Sequence, residues 1–105
     1  MLTPDIRRIL WLYVGGTRGG IARLRILLLL KERPRNLNQL SRALGMDYTT
    51  MMYHARVLEK SGLVAPERKR YGSVYFLSPL LDANRSVLDE IAAMLDKAFK
   101  SRGSE

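Results

Sequence analysis

The sequence predicts a mainly α-helical fold that carries one small β-hairpin. Three observations predict it. Apolar residues recur at helical spacing in five segments, two of those segments are joined by a tight glycine turn, and two short β-forming runs flank a cationic tip. At 105 residues the chain suits one core rather than two ordinary domains. Its 47% apolar and 27% charged residues are the balance of a globular protein, not a disordered one.

The elements follow in order. Thr3 is a candidate helix cap, with Pro4 in the first turn and Asp5 near the positive helix end. Ile6, Ile9, Leu10 and Tyr13 then repeat at helical spacing until Gly15-Gly16, and Gly19-Gly20 marks a second flexible point. A second helix is expected over residues 21–32, through Ile21, Leu24, Leu27 and Leu28. Its unbroken apolar run at 26–30 implies that other elements cover most of its circumference, and Pro34 stops it. Asn36 is placed to cap a third, shorter helix through Leu37, Leu40 and Leu44, which Gly45 ends. Only Met46 separates that glycine from Asp47, the cap of a fourth helix running from about Tyr48 to Ser61 and ended by Gly62. Two capped helices across so tight a turn make a helix-turn-helix.

Residues 63–67 read as a strand, with Pro66 marking a sheet edge, and residues 74–77 as a second strand. Residues 68–72 form the hairpin tip between them. Pro79 opens a helix of about twenty residues reaching Lys100, before a polar tail at 101–105. A hairpin directly after a helix-turn-helix is the plan of a winged helix. The chain is read as one domain, with a winged-helix body at 17–78 and terminal helices at 1–14 and 79–100.

Charge points to the partner. The formal net charge is +8. Residues 1–78 carry 14 basic against 5 acidic side chains, whereas residues 79–105 carry 4 against 5. A basic body with a near-neutral tail fits a polyanion such as double-stranded DNA. On the fourth helix, Met51, Ala55, Leu58 and Gly62 form an apolar stripe for packing. The opposite side carries Thr49, Met52, Tyr53 and Arg56 at i, i+3, i+4 and i+7. Thr and Met suit a thymine methyl, Tyr a base or phosphate, and Arg a guanine or phosphate. Tyr48, at the positive helix start, is a further candidate for the DNA backbone. His54 lies beside the stripe and is read as a buried, hydrogen-bonded residue. Arg68, Lys69 and Arg70 make the hairpin tip a compact cation for phosphates or a minor groove. Arg18 and Arg42 are weaker candidates for backbone contact.

In the last helix, Leu81, Asn84, Leu88, Ile91, Leu95 and Ala98 alternate at three and four residues, a heptad seam. The expectation is a homodimer held by Leu81, Leu88, Ile91, Leu95 and Ala98, with Val87 and Met94 widening the seam and Asn84 fixing register. Trp11 and Tyr13 of the first helix are expected to join it.

Composition excludes much else. With no cysteine and one histidine, disulfides, thiolate zinc sites and His-rich metal sites are ruled out, and no cofactor is expected. No acid–base pair for catalysis is visible, so the chain is not read as an enzyme. The apolar runs at 9–14 and 26–30 are too short to span a bilayer, and Arg7-Arg8 before the first makes only a faint signal-peptide pattern. The location expected is cytoplasmic.

Several stretches resemble the broad ArsR-like class of winged-helix transcriptional regulators, in particular archaeal ones. They are Gly16-Thr17-Arg18-Gly19-Gly20, Leu37-Asn38-Gln39-Leu40, Leu44-Gly45-Met46-Asp47-Tyr48 and, most specifically, the run from His54 to Val64. The resemblance spans about residues 16–78. It implies a homodimer that binds operator-like DNA and often represses transcription. The metal-sensing branch places cysteine ligands on its helices, and these have no counterpart here, so an effector is left unnamed. Two other readings share the fold: an architectural, chromatin-type DNA binder with little base discrimination, and a protein-interaction module using Met52 and Tyr53.

Overall fold

In the computed structural model, which describes residues 5–15 and 18–103, the elements are α1 (Ile6–Val14), α2 (Gly20–Glu32), α3 (Leu37–Leu44), α4 (Tyr48–Lys60), β1 (Val64–Pro66), β2 (Tyr75–Leu77), α5 (Pro79–Asp82) and α6 (Arg85–Gly103). The expected cap Thr3 and first-turn Pro4, Gly16 of the glycine pair, Thr17, and the last tail residues Ser104 and Glu105 lie outside the described residues. Asp5 itself caps α1, its carboxylate accepting from the Arg8 backbone N–H. At Gly15 the ring of Trp11 lies so close that a Cβ would fall 1.9 Å from Cε3, so glycine is the residue that fits.

α2 is the central helix, packed by α1, α3, α4 and β2. Leu24, Ile26, Leu27 and Leu30 are buried, and Ile21 and Arg25 are exposed, as its all-round apolar pattern implies. The helix-turn-helix forms through local capping. The Asn36 side chain accepts from the Gln39 N–H while the Gln39 side chain accepts from the Asn36 N–H, a reciprocal capping box. Gly45 takes the left-handed conformation that ends α3, at φ +63°. Asp47 then caps α4, accepting from the Thr50 N–H at 2.8 Å and the Thr50 hydroxyl at 3.0 Å.

β1 and β2 pair antiparallel, Val64 opposite Leu77, Ala65 opposite Phe76 and Pro66 opposite Tyr75. Both strands are shorter than the sequence predicts. The Leu63 N–H closes the end of α4 by donating to the Leu58 carbonyl, while Glu67 and Val74 keep one ladder bond at 2.8 Å. Arg35 adds a third strand position beside Tyr75 through bonds of 2.8 and 3.1 Å. This bridge ties the base of the hairpin to the segment between α2 and α3.

The C-terminal half departs from expectation. The single helix predicted from Pro79 is two helices. Ser78 caps α5, and the Asn84 side-chain amide donates to the Leu80 carbonyl at 2.8 Å, closing α5 before α6 begins at Arg85. Asn84 therefore sits at the break between α5 and α6, its side chain bonded back to α5, rather than on a continuous seam. Leu81, Leu88 and Ile91 are corrected as well: each is 0% exposed, sealed in the chain's own core with Leu10, Leu27 and Leu58, and presents nothing to a second copy. Leu95 is half-buried and Ala98 exposed. α6 also extends past the predicted end into the supposed tail, to Gly103. Gly62 is exposed, at φ +80°, and ends the apolar stripe instead of belonging to it. Arg7–Glu90 and Lys31–Asp89 ion pairs join α1 and α2 to α6, but all four side chains are substantially exposed and add little. No helix of the described residues is long and apolar enough to cross a membrane.

Because Leu88 is fully enclosed, Leu88→Ala is expected to destabilise the fold by about 2–5 kcal/mol. Urea unfolding measures this, and a cost below about 1 kcal/mol would place Leu88 outside the core.

Candidate nucleic-acid interface

Helix α4 presents two contrasting faces. Met51, Ala55 and Leu58 are buried at 0–2% exposure, which fixes the helix on the core. Thr49, Tyr53 and Arg56 are exposed, Tyr53 to 61%, and Tyr48 and Met52 are half-buried. Met52 also packs partly on the core, so it is less free than the helical spacing implies.

Between α4 and the hairpin lies a cleft of about 450 Å³. Tyr48, Met52, Arg56 and Glu59 line it from the helix, and Pro66, Arg68, Lys69, Arg70, Tyr71 and Tyr75 from the hairpin. The structure thus brings six of the eight expected helix and wing residues to one depression: Tyr48, Met52 and Arg56 from the helix and the whole Arg68–Lys69–Arg70 run from the hairpin. Thr49 and Tyr53 lie on the exposed surface of α4 outside this lining. Arg18 and Arg42 are exposed but do not line the cleft.

The hairpin tip is built by backbone chemistry. The Arg68 N–H donates to the Ser73 hydroxyl at 2.8 Å, the Ser73 N–H donates to the Arg70 carbonyl at 3.3 Å, and Gly72 turns the chain at φ +82°. The start of α4 is already engaged. The Thr50 N–H holds the Asp47 carboxyl below its ordinary range, so Asp47 stays ionised beside the first amides of the helix. The Asp47 carboxylate therefore offsets the positive end of α4, and the positive charge at the cleft comes from Arg56 and the tip residues Arg68, Lys69 and Arg70.

Glu59, Tyr71 and Tyr75 were not singled out by the sequence. Burial first, and then the Glu59 charge, push the Tyr75 hydroxyl above its usual range, so it remains a neutral donor in the cleft. A tyrosine in a β-run carries no signal beyond strand propensity, and the hairpin register alone turns it toward α4.

Behind the helix, His54 is buried at 6% exposure, as expected. Its Nδ1 lies 3.3 Å from the Arg23 guanidinium. Arginine only donates, so Nδ1 accepts and the ring proton sits on Nε2. Arg23, itself 5% exposed, also donates to the Tyr13 carbonyl at 2.6 Å and the Arg18 carbonyl at 3.3 Å. This buried arginine had no sequence signature.

Helices α3 and α4 across a capped turn, a hairpin wing after them, and a cationic cleft between the two define a winged helix-turn-helix protein. Residues 22–65 match the family model described as bacterial regulatory protein, arsR family. No curated protein matches the sequence. Among solved structures, the chain is similar to Rv0081 of M. tuberculosis, with 28% identity, coverage of 77% of this chain and 80% of that one, and a TM-score of 0.61. HlyU from Vibrio cholerae is 22% identical, with 82% and 91% covered and a TM-score of 0.63. Mb0332 of Mycobacterium bovis, described as a homodimeric winged helix-turn-helix DNA-binding domain and a possible ArsR-family transcriptional regulator, is 23% identical, with 96% and 95% covered and a TM-score of 0.65. These likenesses show the winged helix-turn-helix fold.

Burial first, and then the Arg23 charge, hold His54 below its ordinary pKa. The unfolded chain then binds the extra proton first. Stability is complete above about pH 6.5 and falls as the pH drops from there toward the lower folded value. Urea midpoints at about pH 5 and pH 7.5 are expected to differ in the wild type and to converge in His54→Gln. An unchanged pH dependence in that variant would assign the effect to other groups.

Proposed function

We propose that the chain is a sequence-specific, DNA-binding transcription regulator of the ArsR-like class, acting in the cytoplasm as a homodimeric repressor. One observation carries the reading. The cleft sets Tyr48, Met52 and Arg56 of α4 against Arg68, Lys69 and Arg70 of the wing. A helix in the major groove and a wing on the neighbouring backbone or minor groove straddle one sugar–phosphate strand, and cations on both sides of a cleft suit that strand. Thr49 and Tyr53, exposed on α4, extend the reading face beyond the cleft. The arsR-family match at residues 22–65 and the likeness to the Mycobacterium bovis DNA-binding domain support the assignment.

The proposed homodimer uses the part of the heptad seam that the core leaves uncovered, Met94 and Leu95, together with exposed apolar residues of α1 and α2. Leu12, Ile21 and Met94 are 57%, 46% and 52% exposed. A groove of about 470 Å³ runs between α2 and α6, lined by the apolar Ile21, Leu24, Leu28, Ala92, Ala93 and Leu95 and by the charged Asp96. Apolar surface of this kind favours a self-complementary contact with a second copy, and two copies present two α4 helices to a two-part operator. Bound across a promoter, such a dimer represses by occupying the duplex.

Selection of bound fragments from random genomic duplex at two salt concentrations tests the function. An enriched palindrome is the expected result, whereas uniform coverage with steep salt dependence would replace it with the architectural reading. Arg56→Ala is expected to alter sequence preference at a cost of about 1–3 kcal/mol, while Lys69→Ala weakens binding to all sequences alike and lowers the salt slope by about one unit. The reverse pattern would invert the roles of helix and wing.

The same protein, sized by light scattering, is expected to give the mass of a dimer. Met94→Glu, which places a charge on the exposed apolar face, is expected to give the mass of a folded monomer. A dimer that survives both Met94→Glu and Ile21→Glu would show that the contact lies elsewhere.

A further inference from the structure

We propose that Tyr71 is a latch that holds the wing tip against the helix-turn-helix and so sets the width of the cleft before DNA arrives. Its consequence for affinity rests on the DNA-binding reading; the latch itself does not. Tyr71 is 78% exposed, so burial does not hold it in place. It nevertheless makes two specific contacts away from the hairpin. Its hydroxyl accepts from the Asn38 side-chain amide at 3.4 Å. Its ring centroid lies 6.0 Å from that of Tyr48, tilted by 43°, within the range of favourable aromatic pairs. Asn38 lies in the first turn of α3 and Tyr48 is the first residue of α4, so a single side chain joins the wing tip to both helices of the motif.

The tip has reason to need such a tether. Arg68, Lys69 and Arg70 repel one another, and none of them enters an ion pair among the described residues. The base of the hairpin is fixed by the β1–β2 ladder and the Arg35 bridge, but beyond Glu67 only turn bonds shape the tip. Those bonds fix its form and not its distance from α4. Tyr71 supplies that distance. With the tip ordered beforehand, its cations reach a phosphate strand without first losing conformational freedom, which is a gain in affinity through preorganisation. Tyr71 is accordingly a positioning residue that acts through the three cations.

The experiment has two arms. In the free protein, 15N heteronuclear NOE values for residues 68–72 report wing order. Tyr71→Ala is expected to lower them to loop-like values while those of Leu27 and Leu58 stay unchanged. Tyr71→Phe, which keeps the ring but loses the Asn38 bond, is expected to fall between. Wing amides as ordered in Tyr71→Ala as in the wild type would overturn the latch. In the second arm, Tyr71→Ala is expected to weaken binding to every duplex about three- to tenfold. In a protein whose Arg68, Lys69 and Arg70 are all replaced by Gln, the same substitution is expected to have almost no further effect. An equal loss in that background would mean that Tyr71 touches DNA directly, and the positioning role would be rejected. If the wild type binds no duplex at low salt, the DNA-binding reading fails, and the NOE arm alone decides the latch.

Discussion

A guanidinium inside a protein has to be met by acceptors, because the desolvation of an unmatched charge costs several kcal/mol or more. Arg23 imposes that requirement on the middle of this fold. The Tyr13 carbonyl supplies one acceptor from the last turn of α1, where the helix end is already negative. The Arg18 carbonyl supplies another from the loop before α2, and His54 Nδ1 supplies a third from α4. Gly19 belongs to the same arrangement. It sits at φ +81°, and a Cβ there would approach His54 Cε1 to 2.9 Å and Arg23 Nη1 to 3.2 Å. Three segments distant in sequence thus converge on one cation, and α4 is held from behind at the turn that carries Tyr53 and Arg56 on its outer side.

The wing depends on a comparable fixing at its base. Arg35 pairs its backbone with Tyr75, and its side chain, 10% exposed, reaches Glu32 at 3.1 Å. The last turn of α2 therefore anchors the hairpin that faces α4. Helix α4 and the hairpin are referred to the same central helix, one through Arg23 and the other through Arg35. The position of the hairpin base relative to α4 is then a property of α2 and of the short chain after it. Only the tip, beyond Glu67, is left to a surface contact.

What the sequence reveals and what it hides divide along the range of the interaction. Asn36, Gly45 and Asp47 act on atoms within about one helical turn, so residue type and spacing suffice to place both helices of the motif. The face of α4 is legible for the same reason, since Met51, Ala55 and Leu58 repeat locally. The seam of Leu81, Leu88 and Ile91 is also locally visible, but spacing says only that one side is apolar and not which surface covers it. Here the chain's own core covers it, and among the described residues the large aliphatic side chains left exposed are Leu12, Ile21 and Met94. The break at Asn84 is hidden because its amide satisfies a carbonyl four residues back, a contact that a heptad pattern counts as a seam position. Arg23, Arg35 and Tyr71 are the least legible. Arginine counts as surface charge in any composition, and the partners that decide otherwise lie 31 residues from Arg23 at His54 and 33 residues from Tyr71 at Asn38.

The placement of α2 has a consequence for how two copies would work together. Ile21, Leu24 and Leu28 line the groove beside α6, and Arg23 on the same helix reaches His54 on α4. The apolar face and helix α4 are therefore connected through one packed element and a buried polar contact, not through a loop. Close packing leaves such elements little room to shift independently. A second copy seated on the α2–α6 groove would fix not only the pairing but also the separation and tilt of the two α4 helices. The distance between the two α4 helices would in that case be set by core geometry, with the Arg23–His54 contact on the path between the two faces.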